Sequence, residues 1–235
     1  MIRAKGLGRV LAGIASLGMM ASAAHASTYF VEQETAPNSG IFTTVGKIKA
    51  FDASGLSTVD AYKYDNGLRS SYNGNDNGLP DPVNGAARLF LVDTSDGLSL
   101  FLVLDGPGPN NGSADLEWTV SNDTAAALVN DDNSEAPTTD GINFSYSFDW
   151  FTCCTDGFAI GSLDGDFAIE GAFTSFSGLN LFEAVSAGGG TVGLTLANDQ
   201  AVRLSQVPVP AAAPLAAAGF AGLFGANARR RRKAS

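Results

Sequence analysis

INFSYSFDW, Ile142 to Trp150, decides the fold class. Ile142, Phe144, Tyr146, Phe148 and Trp150 alternate with Asn143, Ser145, Ser147 and Asp149. A two-residue period puts the five large side chains on one face of a pleated strand and the polar ones on the other.

Upstream, Arg88 to Asp93 and Leu98 to Leu104 flank Thr94-Ser95-Asp96-Gly97, a turn sequence between two apolar runs that predicts a β-hairpin. Leu98 to Leu104 is apolar at both parities and is expected to be a central strand. Ile41 to Phe51, Val59 to Tyr64, Leu116 to Val120, Ala126 to Asn130, Phe158 to Leu163, Phe167 to Phe176, Leu179 to Val185, Val192 to Ala197 and Ala201 to Val207 are further strand candidates. No segment of the body carries a sustained 3.6-residue apolar stripe with helix caps. Asn66 to Gly85, which contains NGNDNG, reads as a long surface loop. Residues 27–206 are therefore expected to form one all-β domain, an antiparallel β-sandwich of jelly-roll type, without internal repeats.

Both ends differ from this body. Arg3, Lys5 and Arg9 precede an apolar stretch from Val10 to Met20, and Ala24-His25-Ala26 has the small-x-small pattern that signal peptidase cuts. Residues 1–26 are read as a cleavable signal peptide rather than a buried helix, because residues 10–24 lack a polar face. The only histidine, His25, leaves with this leader. A mature chain without histidine excludes Ser/His/Asp and Cys/His triads and lacks the commonest zinc ligand.

At the other end, Val207-Pro208-Val209-Pro210-Ala211 is followed by an Ala/Gly-rich apolar run to Ala226 and by Arg229, Arg230, Arg231, Arg232 and Lys233. An apolar run stopped by dense positive charge is held by a membrane with its charged end cytoplasmic. Residues 207–235 resemble the PEP-CTERM sorting signal of exported Gram-negative proteins in its VPLPA-type variant. The resemblance implies a sorting helix held transiently at the inner membrane and cleavage near the motif by an exosortase. It also implies release to the cell surface or extracellular space in association with exopolysaccharide. The apolar run is about 16 residues and contains Pro214, shorter than the ~20 of a comfortable span; a simple membrane anchor is the alternative. GSADLEWTVSNDTAAALVNDD and FDWFTCCTDGFAIGSLDGDFAIEG also resemble a recurring type of PEP-CTERM protein with a Cys-Cys-Thr-Asp-Gly element, which implies no activity.

Without leader and tail, six basic residues face 24 acidic ones, a net charge of −18. Such a body repels nucleic acid, which is excluded as a partner, and favours cations. Cys153 and Cys154 are the only cysteines, adjacent in a chain read as exported. A vicinal disulfide that stiffens the Trp150 to Gly157 loop, two free thiols, and links to other molecules are the alternatives, the ring being preferred.

Asp164 and Asp166, with Glu170 after them, offer hard oxygen ligands in a Gly-containing turn and are the candidate calcium ligands, although neither an EF-hand nor an RTX spacing is present. No catalytic residues are assigned. The leading expectation is a non-enzymatic structural or adhesive matrix protein linked to exopolysaccharide. A carbohydrate-binding module using Tyr62, Tyr64, Tyr72, Trp118 or Trp150 as stacking platforms, with or without calcium, is the alternative. A glycan hydrolase or lyase built on paired carboxylates comes third.

Overall fold

Alternation of large apolar and small polar residues builds the strands, and their two faces decide how the sheets stack. The computed structural model describes residues 28–63, 72–106, 108–109, 111–130, 135–152, 154–163 and 166–207. Among them, fourteen strands follow in order: β1 (Thr28–Glu34), β2 (Phe42–Lys49), β3 (Phe51–Ala53), β4 (Ala86–Thr94), β5 (Gly97–Leu104), β6 (Gly112–Ser121), β7 (Ala126–Asn130), β8 (Thr138–Thr139), β9 (Asn143–Trp150), β10 (Asp156–Leu163), β11 (Ala168–Ser177), β12 (Leu181–Val185), β13 (Thr191–Leu194) and β14 (Val202–Gln206). The front sheet has the order β2-β1-β14-β11-β6-β9-β8, and the back sheet β13-β12-β4-β5-β10-β7 with β3 beside β4. The protein is all-β, and a main core draws side chains from both sheets.

The decisive stretch behaves as its period requires. Phe144, Tyr146, Phe148 and Trp150 on β9 are buried, whereas Asn143, Ser145, Ser147 and Asp149 are exposed. Ile142, placed with the large residues by its parity, lies just before the strand and is exposed. The aromatic rings of β9 meet Phe158 of β10: the Tyr146 and Phe158 centroids are 4.1 Å apart in a stack, and Trp118 of β6 meets Phe158 edge-on at 6.0 Å. Two tryptophans use glycines as floor space. Gly112 stands directly opposite Trp150, and Gly171 opposite Trp118. A Cβ would lie 2.2 Å from Trp150 Cζ2 at the first and 2.1 Å from Trp118 Cδ2 at the second, so only glycine lets each indole lie across its neighbouring strand.

The hairpin of β4 and β5 is as the sequence reading has it, with Thr94 opposite Gly97 at the tip. Central β5 lies between β4 and β10 and is covered on both faces. Its second face meets a separate core of Phe90, Val92, Phe101 and Val103 beneath Tyr62, Tyr72 and Leu79.

That cover corrects two expectations. The described part of the expected strand Val59 to Tyr64, residues 59–63, is not a strand: helix α1 (Thr58–Tyr62) begins at Ser57, whose hydroxyl accepts from the Asp60 N–H at 3.1 Å and donates to the Asp60 carboxylate at 2.6 Å. A capped single turn with Ala61 and Tyr62 buried against the back sheet is too short to show a 3.6-residue stripe. Nor are the described residues 72–85 only a surface loop. A 3₁₀ turn (Gly74–Asn77) folds there, and Tyr72 and Leu79 fill the second core, with the Tyr72 hydroxyl donating to Pro80 O at 2.9 Å.

The sheets are also not wholly antiparallel, because β12 and β3 each run parallel to β4. After β11 the chain turns at Gly178 (φ +77°) and crosses from the front to the back sheet, where the Asn180 and Leu181 amides donate to Gly85 O at 2.7 and 3.2 Å. This connection delivers β12 alongside β4 in the same direction, as a crossover between sheets can and a tight hairpin cannot. Among the described residues, no helix is long and apolar enough to cross a membrane.

Candidate functional site

The outer face of the front sheet carries the most concentrated polar chemistry. Outward positions on β6 are Ser113, Asp115, Glu117 and Thr119, and those on β9 are Asn143, Ser145, Ser147 and Asp149. In β11 the register shifts between Phe173 and Ser175, so the pair Thr174 and Ser175 occupies the space of one residue. This bulge turns both residues toward Asp115. Thr174 Oγ1 donates to Asp115 O at 3.3 Å, and Ser175 Oγ donates to Asp115 Oδ2 at 2.7 Å. Ser147 Oγ from β9 donates to Asp115 Oδ1, also at 2.7 Å. The hydroxyls of Ser175 and Ser147 stabilise the ionised form and hold the Asp115 carboxyl below the usual range.

Asp115 borders a shallow depression of about 340 Å³ shared with Glu117, Glu135, Ser145, Ser147 and Thr174. A second depression, of about 410 Å³, lies where β9 ends and β6 begins, lined by Asn111, Gly112, Ser113, Asp149, Trp150, Phe151 and Ser177. There the Ser113 and Ser177 hydroxyls are 3.1 Å apart, and Phe151 is 68 % exposed. The Cys154 N–H donates to Phe151 O at 3.1 Å, which closes a turn at the head of the Cys-Cys-Thr-Asp-Gly element. A third depression, about 220 Å³, continues toward Glu34, Glu170 and Asp199. The residues lining the three include no lysine or arginine among the described residues.

The residues singled out from sequence fall differently. Trp118, Trp150, Tyr62 and Tyr72 are core residues, buried to within a few per cent, and offer no open ring face. Alternation already places the two tryptophans on the inward parity, and the lid over the back sheet accounts for the two tyrosines. Tyr64 lies outside the described residues. Phe151, which sequence reasoning did not single out, follows the last inward position of β9, and its parity was the available signal.

Of the candidate calcium ligands, Asp164 lies outside the described residues and Asp166 is exposed just before β11. Glu170 is engaged elsewhere: its Oε2 accepts from Arg203 Nε at 3.0 Å and Nη2 at 2.7 Å, while the Arg203 guanidinium sits 3.7 Å from the Phe42 ring centroid. Among the described residues no group of three or more acidic, cysteine or histidine side chains is placed to hold a metal. Cys154 is not a free thiol, and Cys153 lies outside the described residues. So do Ala24 and Ala26 of the leader, and Pro208, Val209, Pro210 and Arg229 to Arg232 of the tail. Val207 is described, and its N–H donates to Thr28 O at 3.0 Å.

No family model, characterised protein or solved structure matches the chain. The fold and the site together define an all-β protein with an acidic, hydroxyl-rich sheet face.

Proposed function

We propose that this chain is exported, held briefly at the inner membrane by its C-terminal segment, cut by an exosortase near Val207 to Ala211, and left at the cell surface or in the extracellular matrix. Its body serves there as a non-enzymatic structural or adhesive element linked to exopolysaccharide. The observation that carries the reading is the order of motif, apolar run and arginine cluster in residues 207–235.

The strand boundaries support it. β1 begins at Thr28, just beyond the expected signal-peptidase cut after Ala26, and β14 ends at Gln206, just before the motif. β1 and β14 pair side by side, with Tyr29 opposite Gln206. Both expected cuts thus fall at one end of one ladder, and neither removes a core residue among the described residues. The body itself is read as a β-sandwich of jelly-roll type: the ladders β5/β10 and β6/β9 are nested in sequence yet lie in opposite sheets, which fits a long hairpin wrapped around two layers. A vicinal Cys153–Cys154 ring would hold the turn that carries Phe151.

Asp115 does not suit the role of a glycosidase's proton donor. A glycosidase needs a carboxylic acid whose pKa is raised so that it can protonate the leaving group. Asp115, at the centre of the polar face, is shifted in the opposite direction by its serine donors.

Intact-mass analysis of the protein from its native host tests the reading. The expected product starts at Ser27, ends near Pro210 and lacks the arginine cluster. Surface material that retains Arg229 to Arg232 would replace exosortase processing with a plain anchor.

A further inference from the structure

We infer that the depression at the end of β9, bordered by Phe151, Trp150, Asp149, Ser113 and Ser177, is a binding subsite for an uncharged polysaccharide that continues along β6 to Asp115. The inference deepens the proposed function by naming the class of polymer and the surface that meets it, and it rests on that reading.

Three independent features meet in this depression. Phe151 is the exposed aromatic of the region at 68 %, and an open ring face packs against the C–H face of a pyranose, giving apolar contact without charge. Trp150 is 2 % exposed and its indole N–H finds no acceptor. A buried donor without a partner is costly, and because its nitrogen is shut off from solvent a ligand oxygen reaches it only when the rim of the depression shifts. Trp118 also has an unpartnered N–H but borders none of the three depressions, whereas the unpartnered Tyr146 hydroxyl borders the first, beside Asp115.

The third feature is the Ser113–Ser177 hydroxyl pair next to the Asp149 carboxylate. Hydroxyls both donate and accept while a carboxylate only accepts, a set that matches the mixed donors and acceptors of sugar hydroxyls.

Direction and charge extend the site. Ser113 and Asp115 are successive outward positions on β6, and Glu117 follows. From Ser113 to Glu117 the strand runs four residues, about 14 Å at ~3.4 Å per residue, long enough for more than one sugar ring. Asp115 is pinned by two serine hydroxyls and meets a ligand in one orientation, ionised. The lining carboxylates, without lysine or arginine among them, repel a uronate-bearing or sulfated polymer, and the exposed ring and hydroxyl pair suit an uncharged one.

Affinity electrophoresis of the mature protein through native gels containing galactomannan, xyloglucan or mixed-linkage β-glucan, with alginate as the anionic control, tests the inference. The expected result is retardation by at least one uncharged polymer and none by alginate. Phe151→Ala should lower that affinity tenfold or more with an unchanged melting temperature, because the ring is exposed. Trp150→Phe, which keeps a ring in the core but removes the N–H, should also weaken binding. Val59→Ala, on the opposite side of the molecule, should not. If Trp150→Phe lowers the melting temperature, Phe151→Ala decides alone. Free migration through all three uncharged polymers, wild-type retardation of Phe151→Ala, or retention by alginate would overturn the inference. Intact-mass analysis reports processing separately, so a correctly trimmed protein that binds no polymer rejects the subsite and leaves the export reading in place.

Discussion

The outer faces of the two sheets began from similar strand geometry and ended in opposite conditions. On the front sheet, β6 and β9 alternate strictly, and their outward residues are Ser, Asp, Glu, Thr and Asn in contact with solvent. On the back sheet, β4 and β5 are apolar at both parities, and α1 with Tyr72 and Leu79 covers them. A sheet face rich in Phe and Val cannot stay in water, so α1, Tyr72 and Leu79, which lie between β3 and β4 in the chain, cover it. The solvated face needs no lid, and its polar groups remain available. The cover therefore marks one side of the molecule as structural, and the proposed polysaccharide contacts lie on the uncovered side.

The largest test of this contrast is Phe101→Ala, which hollows the second core where Phe101 packs on Phe90 and Tyr62. It should cost about 3–5 kcal/mol in urea unfolding. A loss below ~1 kcal/mol would mean that the lid is not packed as described. Gly171→Ala probes the front sheet from inside: its methyl would lie 2.1 Å from Trp118 Cδ2, and overpacking of this kind should cost about 1–3 kcal/mol. Wild-type stability in this variant would show that the indole has room to move.

Alkali should separate the buried phenols from the solvated carboxylates. Burial raises the ionisation of Tyr72 and Tyr146 above the ordinary pH of 10.0. The unfolded chain then releases those protons first, so stability is intact below about pH 10 and falls as pH rises further. The loss should be about 1.4 kcal/mol per tyrosine one unit above that point. Tyrosinate absorbance should appear together with unfolding, and its appearance in folded protein for all described tyrosines would contradict the burial.

Ser57→Ala removes the cap of α1 and should cost about 1 kcal/mol, with faster amide exchange in residues 58–62. The smallest effect is expected from Asp115→Asn, under roughly 0.5 kcal/mol because the group is solvated. Its sign is informative. The depressed carboxyl stabilises the fold above its unfolded pKa of about 3.9 and loses that contribution as pH falls, so the variant should show a slightly flatter acid limb than wild type.

Legibility followed the same division. The period of β9, the two-sided apolarity of β5 and the hairpin tip at Thr94 to Gly97 could all be read locally, because a strand with a wet face or two dry faces states this in its own residues. α1 was missed because five residues cannot display a helical stripe, although Ser57-Thr58-Val59-Asp60 held the capping signal. Tyr72 and Leu79 were hidden in an Asn/Gly-rich stretch whose composition argues for solvent. In the candidate site, Asp115, Ser147 and Ser175 lie up to 60 residues apart and gave no joint motif. The tryptophans drew attention for their chemistry, while their parity already assigned them to the core.

The amino-acid order alone sufficed for the all-β class, most strand positions, the acidic balance and the lack of histidine in the body, since each depends on neighbours two residues apart or on counting. Folding in three dimensions added which sheet face would be roofed, the parallel placement of β12 and β3 beside β4, and the meeting of Phe151, Trp150 and the serine pair at one rim. Those features depend on which distant strands become neighbours, and burial free energy summed over the whole core selects that pairing, so no local pattern carries it.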